Sequence, residues 1–148
     1  GSGAALVLAS DLVVAGGNAT LAVPNPRLGL VAGAVAPLLA YRLGAGPAAR
    51  LLLASPTVDA SEAHRLGLFH ELAEDHLLWA RASELGRQCA AGAPEAVALT
   101  KRLLLETAGE GLATQLASGA IATAASRTTE AADEGIEAFL AKRDPTWQ

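Results

Sequence analysis

The chain has 148 residues, a formal net charge of −4, 51% hydrophobic residues and only 3% aromatic ones. That length holds one domain, whose interior must be packed by Ala, Leu and Val. Net acidity without a basic stripe argues against nucleic acid as a partner. A single cysteine, Cys89, allows no internal disulfide and suits a reducing, cytoplasmic setting. At a helical spacing from Leu85, it reads as a small buried apolar residue rather than a reactive thiol. The longest uncharged stretch, Leu28 to Tyr41, is short of the roughly 20 residues a bilayer needs and is broken by Pro37, so no membrane span is expected. The start lacks a signal peptide's basic region and an initiator Met, so the chain is expected to begin inside a longer protein.

In chain order, Gly1-Ser2-Gly3 and the apolar run Ala4 to Ala9 read as a tight turn feeding a buried helix. The first N–H groups of such a helix stay free, which suits an anion or a developing oxyanion, although glycine turns of this kind are more often purely structural. Leu12-Val13-Val14 predicts a short strand closed by Gly16-Gly17-Asn18, and Ala19 to Val23 a second one ended by Pro24-Asn25-Pro26. Because Asn25 precedes a proline, its side chain is expected on an extended segment as a fixed hydrogen-bonding group; a turn asparagine serving only its own backbone is the alternative. A short helix is expected between Leu28 and Gly46, and one or two helical turns over Ala48 to Ala54.

The second half reads as helical. Asp59 with Glu62 forms a capping box for a helix that stops at Gly67. Leu78, Ala82, Leu85 and Cys89 mark an amphipathic surface helix, and Pro94 opens another whose stripe is Val97, Leu104 and Ala108. Leu112, Leu116, Ala120 and Thr123 mark a helix rich enough in small residues for a neighbouring helix to come close. Thr129 caps the last helix, with Ile136, Phe139 and Leu140 as its apolar face and Lys142 and Arg143 at its end. His64, His70 and His76 are spaced too widely around a helix to suggest a metal site. No Walker loop, nucleophile elbow or dinucleotide fingerprint is present.

Four stretches together resemble the carboxy-terminal part of the crotonase family, the enoyl-CoA hydratases and isomerases: GSGAALVLASDLVVA, PNPRLGLVAGA, TVDASEAHRLGLFHEL, and the helical tail with APEAVALTKRLLLE and EGIEAFLAKRDPTW. The resemblance runs from Gly1 to Trp147. It implies an α/β fold: the last turns of a ββα spiral over residues 1–58, holding the glycine turn and pocket, then C-terminal trimerisation helices over 59–148. An amino-terminal half of the same protein, carrying the first strands and one oxyanion donor, is expected outside this chain. A homotrimer or dimer of trimers is implied as well.

The resemblance also implies a coenzyme A thioester as substrate, with no separately bound cofactor and no metal. The family's oxyanion N–H in the glycine turn falls on Ser2. Its two glutamates, which hold water and move its protons, fall on Ala5 and Asn25. Alanine can do nothing with a proton, and asparagine can orient but not transfer one, so ordinary hydration should be crippled. The family's P-G-A-G-G turn reads here Ala32-Gly33-Ala34-Val35-Ala36, which should narrow the acyl pocket. Phe139 and Lys142 match tail positions that contact the CoA of a neighbouring subunit; helix core for Phe139 and a helix-terminal cation for Lys142 are the alternatives. Two functions remain: an acyl-CoA lyase or isomerase with unusual proton chemistry, or a non-catalytic acyl-CoA-binding or oligomer-forming paralogue.

Overall fold

The computed structural model describes residues 2–147, so Gly1 of the expected turn lies outside the described residues. Helix α1 (Ser2–Ala9) leads through a loop to strand β1 (Val14–Gly16) and then β2 (Thr20–Leu21). A short 3-10 turn, Asn25–Leu28, precedes α2 (Val35–Leu43) and α3 (Ala45–Leu53). Strand β3 (Val58–Asp59), helix α4 (Ala60–Arg65) and strand β4 (Glu71–Ala73) follow. Helices α5 (Leu78–Ala90), α6 (Pro94–Thr107), α7 (Leu112–Arg127) and α8 (Glu130–Ala141) complete the chain.

The strands form two small ribbons. β1 pairs in parallel with β4, Val14 opposite Glu71 and Gly16 opposite Ala73, while β2 pairs antiparallel with β3, Leu21 opposite Val58. Both ribbons join the front of the chain to the segment around α4, and one buried cluster runs from Leu8 through Leu39 and Leu51 to Leu68 and Phe69. Apart from Phe69 its members are small or aliphatic, as the aromatic-poor composition requires. Half of the capping box is present: the Asp59 carboxylate accepts the Glu62 N–H at 2.8 Å, while the Glu62 carboxylate pairs with Arg65 instead of reaching back, and Gly67 at φ +79° ends the segment. No helix among the described residues is long and apolar enough to cross a membrane.

Four sequence expectations need correction. Asn25 does not lie on an extended segment but opens the 3-10 turn. Local hydrogen bonds outweigh the pre-proline bias there: Arg27 N–H donates to Pro24 O at 2.9 Å and Leu30 N–H to Asn25 O at 3.0 Å, and left-handed Gly29 closes the turn. Helix α8 buries Ala132, Gly135 and Ala138, whereas Phe139 and Leu140 are 66% and 75% exposed. The small face wins because the turn packs its backbone directly on α8, Leu28 against Gly135 and Gly29 against Ala131, leaving no room for larger side chains. Cys89 is exposed rather than buried, since α5 buries no residue. The first strand starts at Val14, two residues later than Leu12, because the loop before it is tied at Val13 to His70.

That tie is reciprocal. Val13 N–H donates to His70 Nδ1 at 2.9 Å, and His70 N–H donates to Val13 O at 2.9 Å. His70 must therefore be neutral with its proton on Nε2. Burial lowers its pKa first, and the nearby charges of Arg42 and His64 lower it further. Its folded pKa lies below the unfolded value, so the unfolded chain binds the extra proton between the two. Stability is fully present above about pH 6.5 and falls as pH drops toward the depressed folded value. His70→Gln, whose amide oxygen can still accept the Val13 N–H, is expected to flatten the loss between pH 7.5 and 5.5 in urea denaturation; an unchanged slope would refute the assignment.

Candidate functional site

Helix α1 is built from Ala, Leu and Val and carries no acidic residue in its first turn. Ser2 is its first residue, so the Ser2 N–H has no acceptor within the helix. Ala5, one turn on, adds only a methyl group. These two residues and Asn25 line one cleft of about 230 Å³, together with Val31 to Val35 and Thr123. The 3-10 turn brings Asn25 there, and the segment before α2 brings residues 31–35, with Val35 buried in its wall. No carboxylate, imidazole or cationic side chain is among the described lining residues. The described lining can donate hydrogen bonds and orient a polar group, and none of its side chains is able to accept and return a proton near neutral pH.

Three of the sequence-derived positions, Ser2, Ala5 and Asn25, thus share a cavity although they span two elements. Phe139 and Lys142 do not join them; both are exposed at the far end of α8. The histidines go separate ways. His70 holds Val13, His64 Nδ1 lies 2.9 Å from Phe69 O, and exposed His76 lies 3.4 Å from the Glu74 carboxylate. Among the described residues no group of three His, Cys, Asp or Glu side chains is disposed to hold a metal ion. A larger cleft of about 760 Å³ lies between the end of α1, α2 and helices α6 and α7, away from Ser2 and Asn25. Two of its cations are already paired, Lys101 with Asp11 and Arg102 with Glu106.

The sequence reading missed what holds the small cleft's far wall. Thr123 Oγ1 accepts the Gly33 N–H at 3.1 Å, and Ser126 Oγ accepts the Val31 N–H at 3.0 Å. Thr123 Oγ1 also lies 3.2 Å from Val31 O and 2.9 Å from Gly119 O, either of which can take its proton. Between these clamps Gly33 and Gly119 meet backbone to backbone, so the small residues of α7 receive a loop at closest approach and not only a helix. The recoverable signal was the row Gly119, Thr123 and Ser126, at spacings of four and three on one helical face. Gly119→Ala would drive a methyl into the Gly33 carbonyl and should cost about 1–3 kcal/mol. Thr123→Val should cost about as much by orphaning the Gly33 N–H. Urea denaturation tests both, and losses within about 0.5 kcal/mol for both would refute the clamp.

A family model described as Enoyl-CoA hydratase/isomerase matches residues 1–148. Among curated relatives, a putative enoyl-CoA hydratase of Thermus thermophilus is 39% identical over 143 residues, covering 97% of this chain and 56% of the relative. A carnitinyl-CoA dehydratase of Citrobacter koseri is 34% identical, covering 100% of this chain and 59% of its own length. A crystal structure of carnitinyl-CoA hydratase from Mycobacterium avium superposes with a TM-score of 0.91 at 31% identity, covering all of this chain and 58% of that one. An enoyl-CoA hydratase/isomerase from Pseudoalteromonas atlantica gives 0.90 at 31% identity, over 100% of this chain and 60% of that one. The chain therefore spans a little under 60% of the curated relatives it matches, and its mainly helical form with a small sheet agrees with the C-terminal part of their fold.

Proposed function

The chain belongs to the enoyl-CoA hydratase/isomerase family, the crotonases, and on that premise we propose that it handles an acyl-CoA thioester whose carbonyl oxygen lies against the Ser2 N–H, without the carboxylate pair that hydration uses. The observation that carries this reading is the cleft that gathers Ser2, Ala5 and Asn25 with no ionisable side chain among its described lining residues. Addition of water to an enoyl thioester places oxygen on Cβ and a proton on Cα, through a state whose negative charge rests on the thioester oxygen. A backbone N–H at a helix start meets that charge, and losing one such donor costs on the order of 10² to 10³ in rate. The second donor would come from the amino-terminal half of the protein.

Asn25 can hold a water or the substrate by hydrogen bonding, while Ala5 takes no part in proton movement. Val35, standing where the family has glycine, narrows the acyl pocket. Exposed Phe139 and Lys142 are free to meet CoA bound to a neighbouring subunit. The exposed apolar residues Trp79 on α5 and Leu99, Leu103 and Leu104 on α6 support assembly into a homotrimer or dimer of trimers. The lone Cys89 suits a reducing cytoplasm. Ala5 and Asn25 also favour a second reading, a non-catalytic acyl-CoA-binding or oligomer-forming paralogue.

Crotonyl-CoA hydration by the full-length protein separates the two. For the enzyme reading we expect weak turnover that Asn25→Ala abolishes and that the double variant Ala5→Glu/Asn25→Glu raises by roughly 10² to 10⁴. Thioester binding with no turnover in the native protein supports the paralogue instead. Failure to bind any CoA ester would sink the enzyme reading and the acyl-CoA-binding form of the second, leaving only the oligomer-forming paralogue.

A further inference from the structure

Helix α8 ends on an unusual residue. Lys142 sits at φ +54° and ψ +40°, one of two non-glycine residues at positive φ among those described. Glycine is the usual choice there, because a Cβ makes the left-handed conformation unfavourable. Such a residue persists only where its surroundings over-determine it, and the outlier asks what the lysine side chain does.

The surroundings are specific. Arg143 folds back along α8 and clasps the Glu134 carboxylate with both arms, Nη1 to Oε1 at 2.6 Å and Nη2 to Oε2 at 2.9 Å. The Thr146 N–H donates to the same carboxylate at 2.7 Å. Arg143 N–H donates to Ala138 O at 3.0 Å and Lys142 N–H to Phe139 O at 3.2 Å, which completes the reversal of the chain. Only Lys142 stands between the helix and this clasp, so the two closing backbone bonds and the clasp together bracket its backbone. Arg143 and the Thr146 amide hold the Glu134 pKa down to about 2, so the clasp stays charged at any physiological pH.

We propose that Glu134 is a positioning residue: by holding Arg143 and the Thr146 amide it locks the chain reversal that presents Lys142 to the phosphate groups of a CoA ester. This rests on the reading above that Lys142 meets CoA, and goes beyond it in naming what aims the lysine. Neither Glu134 nor Arg143 lines the cleft of Ser2 and Asn25, so no direct effect on a group held in that cleft is expected. Loss of the clasp should weaken a CoA ester and spare an ester that lacks the nucleotide.

The test uses the full-length protein and calorimetric Kd values for butyryl-CoA and butyryl-pantetheine. Lys142→Ala is expected to weaken butyryl-CoA about three- to tenfold, the scale of a partly exposed charge contact, with butyryl-pantetheine unchanged. Glu134→Gln and Arg143→Gln should each do the same from opposite sides of the clasp, with circular dichroism confirming that α8 remains folded. Glu134→Gln added to Lys142→Ala should cost nothing further, because both act through one contact. If Lys142→Ala removes the preference for CoA and the clasp variants keep it, the inference falls while the role of Lys142 stands. Equal weakening of both esters by the clasp variants also overturns it. If Lys142→Ala leaves the preference intact, the underlying reading falls and takes the inference with it.

Discussion

Two places where backbone meets backbone without a side chain between them govern this molecule. Gly33 lies on Gly119 of α7, and the turn ending in Gly29 lies on α8 at Ala131 and Gly135. Both contacts join a segment lining the small cleft to a late helix. A Cβ at either site would overlap main-chain atoms, which unlike a flexible side chain cannot swing away. The cleft is therefore shaped as much by α7 and α8 as by the helix at its mouth. Its far wall is held by the hydroxyls of Thr123 and Ser126, one of which also faces the cavity.

The chemistry of that cavity follows from what it lacks as well as what it offers. A helix start supplies directed N–H groups whose partial positive charge costs no reorganisation when an oxygen becomes negative. Nothing among the described lining residues supplies the complementary base. Polarising a carbonyl and shuttling a proton are separable tasks, and the described lining of this cleft offers a helix start, a methyl and an amide. Asn25 has the shape and hydrogen-bonding reach of a carboxylate without its charge, whereas Ala5 offers only a methyl group.

The late helices contrast with the core. Helices α5, α6 and α7 bury no residue, yet they carry large apolar side chains, and α8 turns its only buried face toward the Asn25 turn while Phe139 and Leu140 look outward. Apolar surface is costly to leave in water, and these helices leave it uncovered within this chain. The capping of these helices is local and sound, as at Thr129, whose hydroxyl accepts the Ala132 N–H. What they cannot do within this chain is hide their hydrophobic faces.

Local rules carried much of this description. The Asp59 cap, the Pro94 start, the Thr129 cap and the stop at Gly67 were legible because each depends on a few adjacent residues. The grouping of Ser2, Ala5 and Asn25 was legible only through resemblance to a family, since nothing in their spacing says that a helix and a distant turn share a cavity. The buried Cys89 and the Phe139 face failed because each was inferred from neighbours along the chain and decided by packing across it, whereas the extended conformation expected for Asn25 gave way to hydrogen bonds within its own turn. The sequence alone therefore determined where the capped helices begin and end. Tertiary packing decided which face each helix buries and which turn reaches the cleft, because those choices turn on how closely two distant backbones can approach.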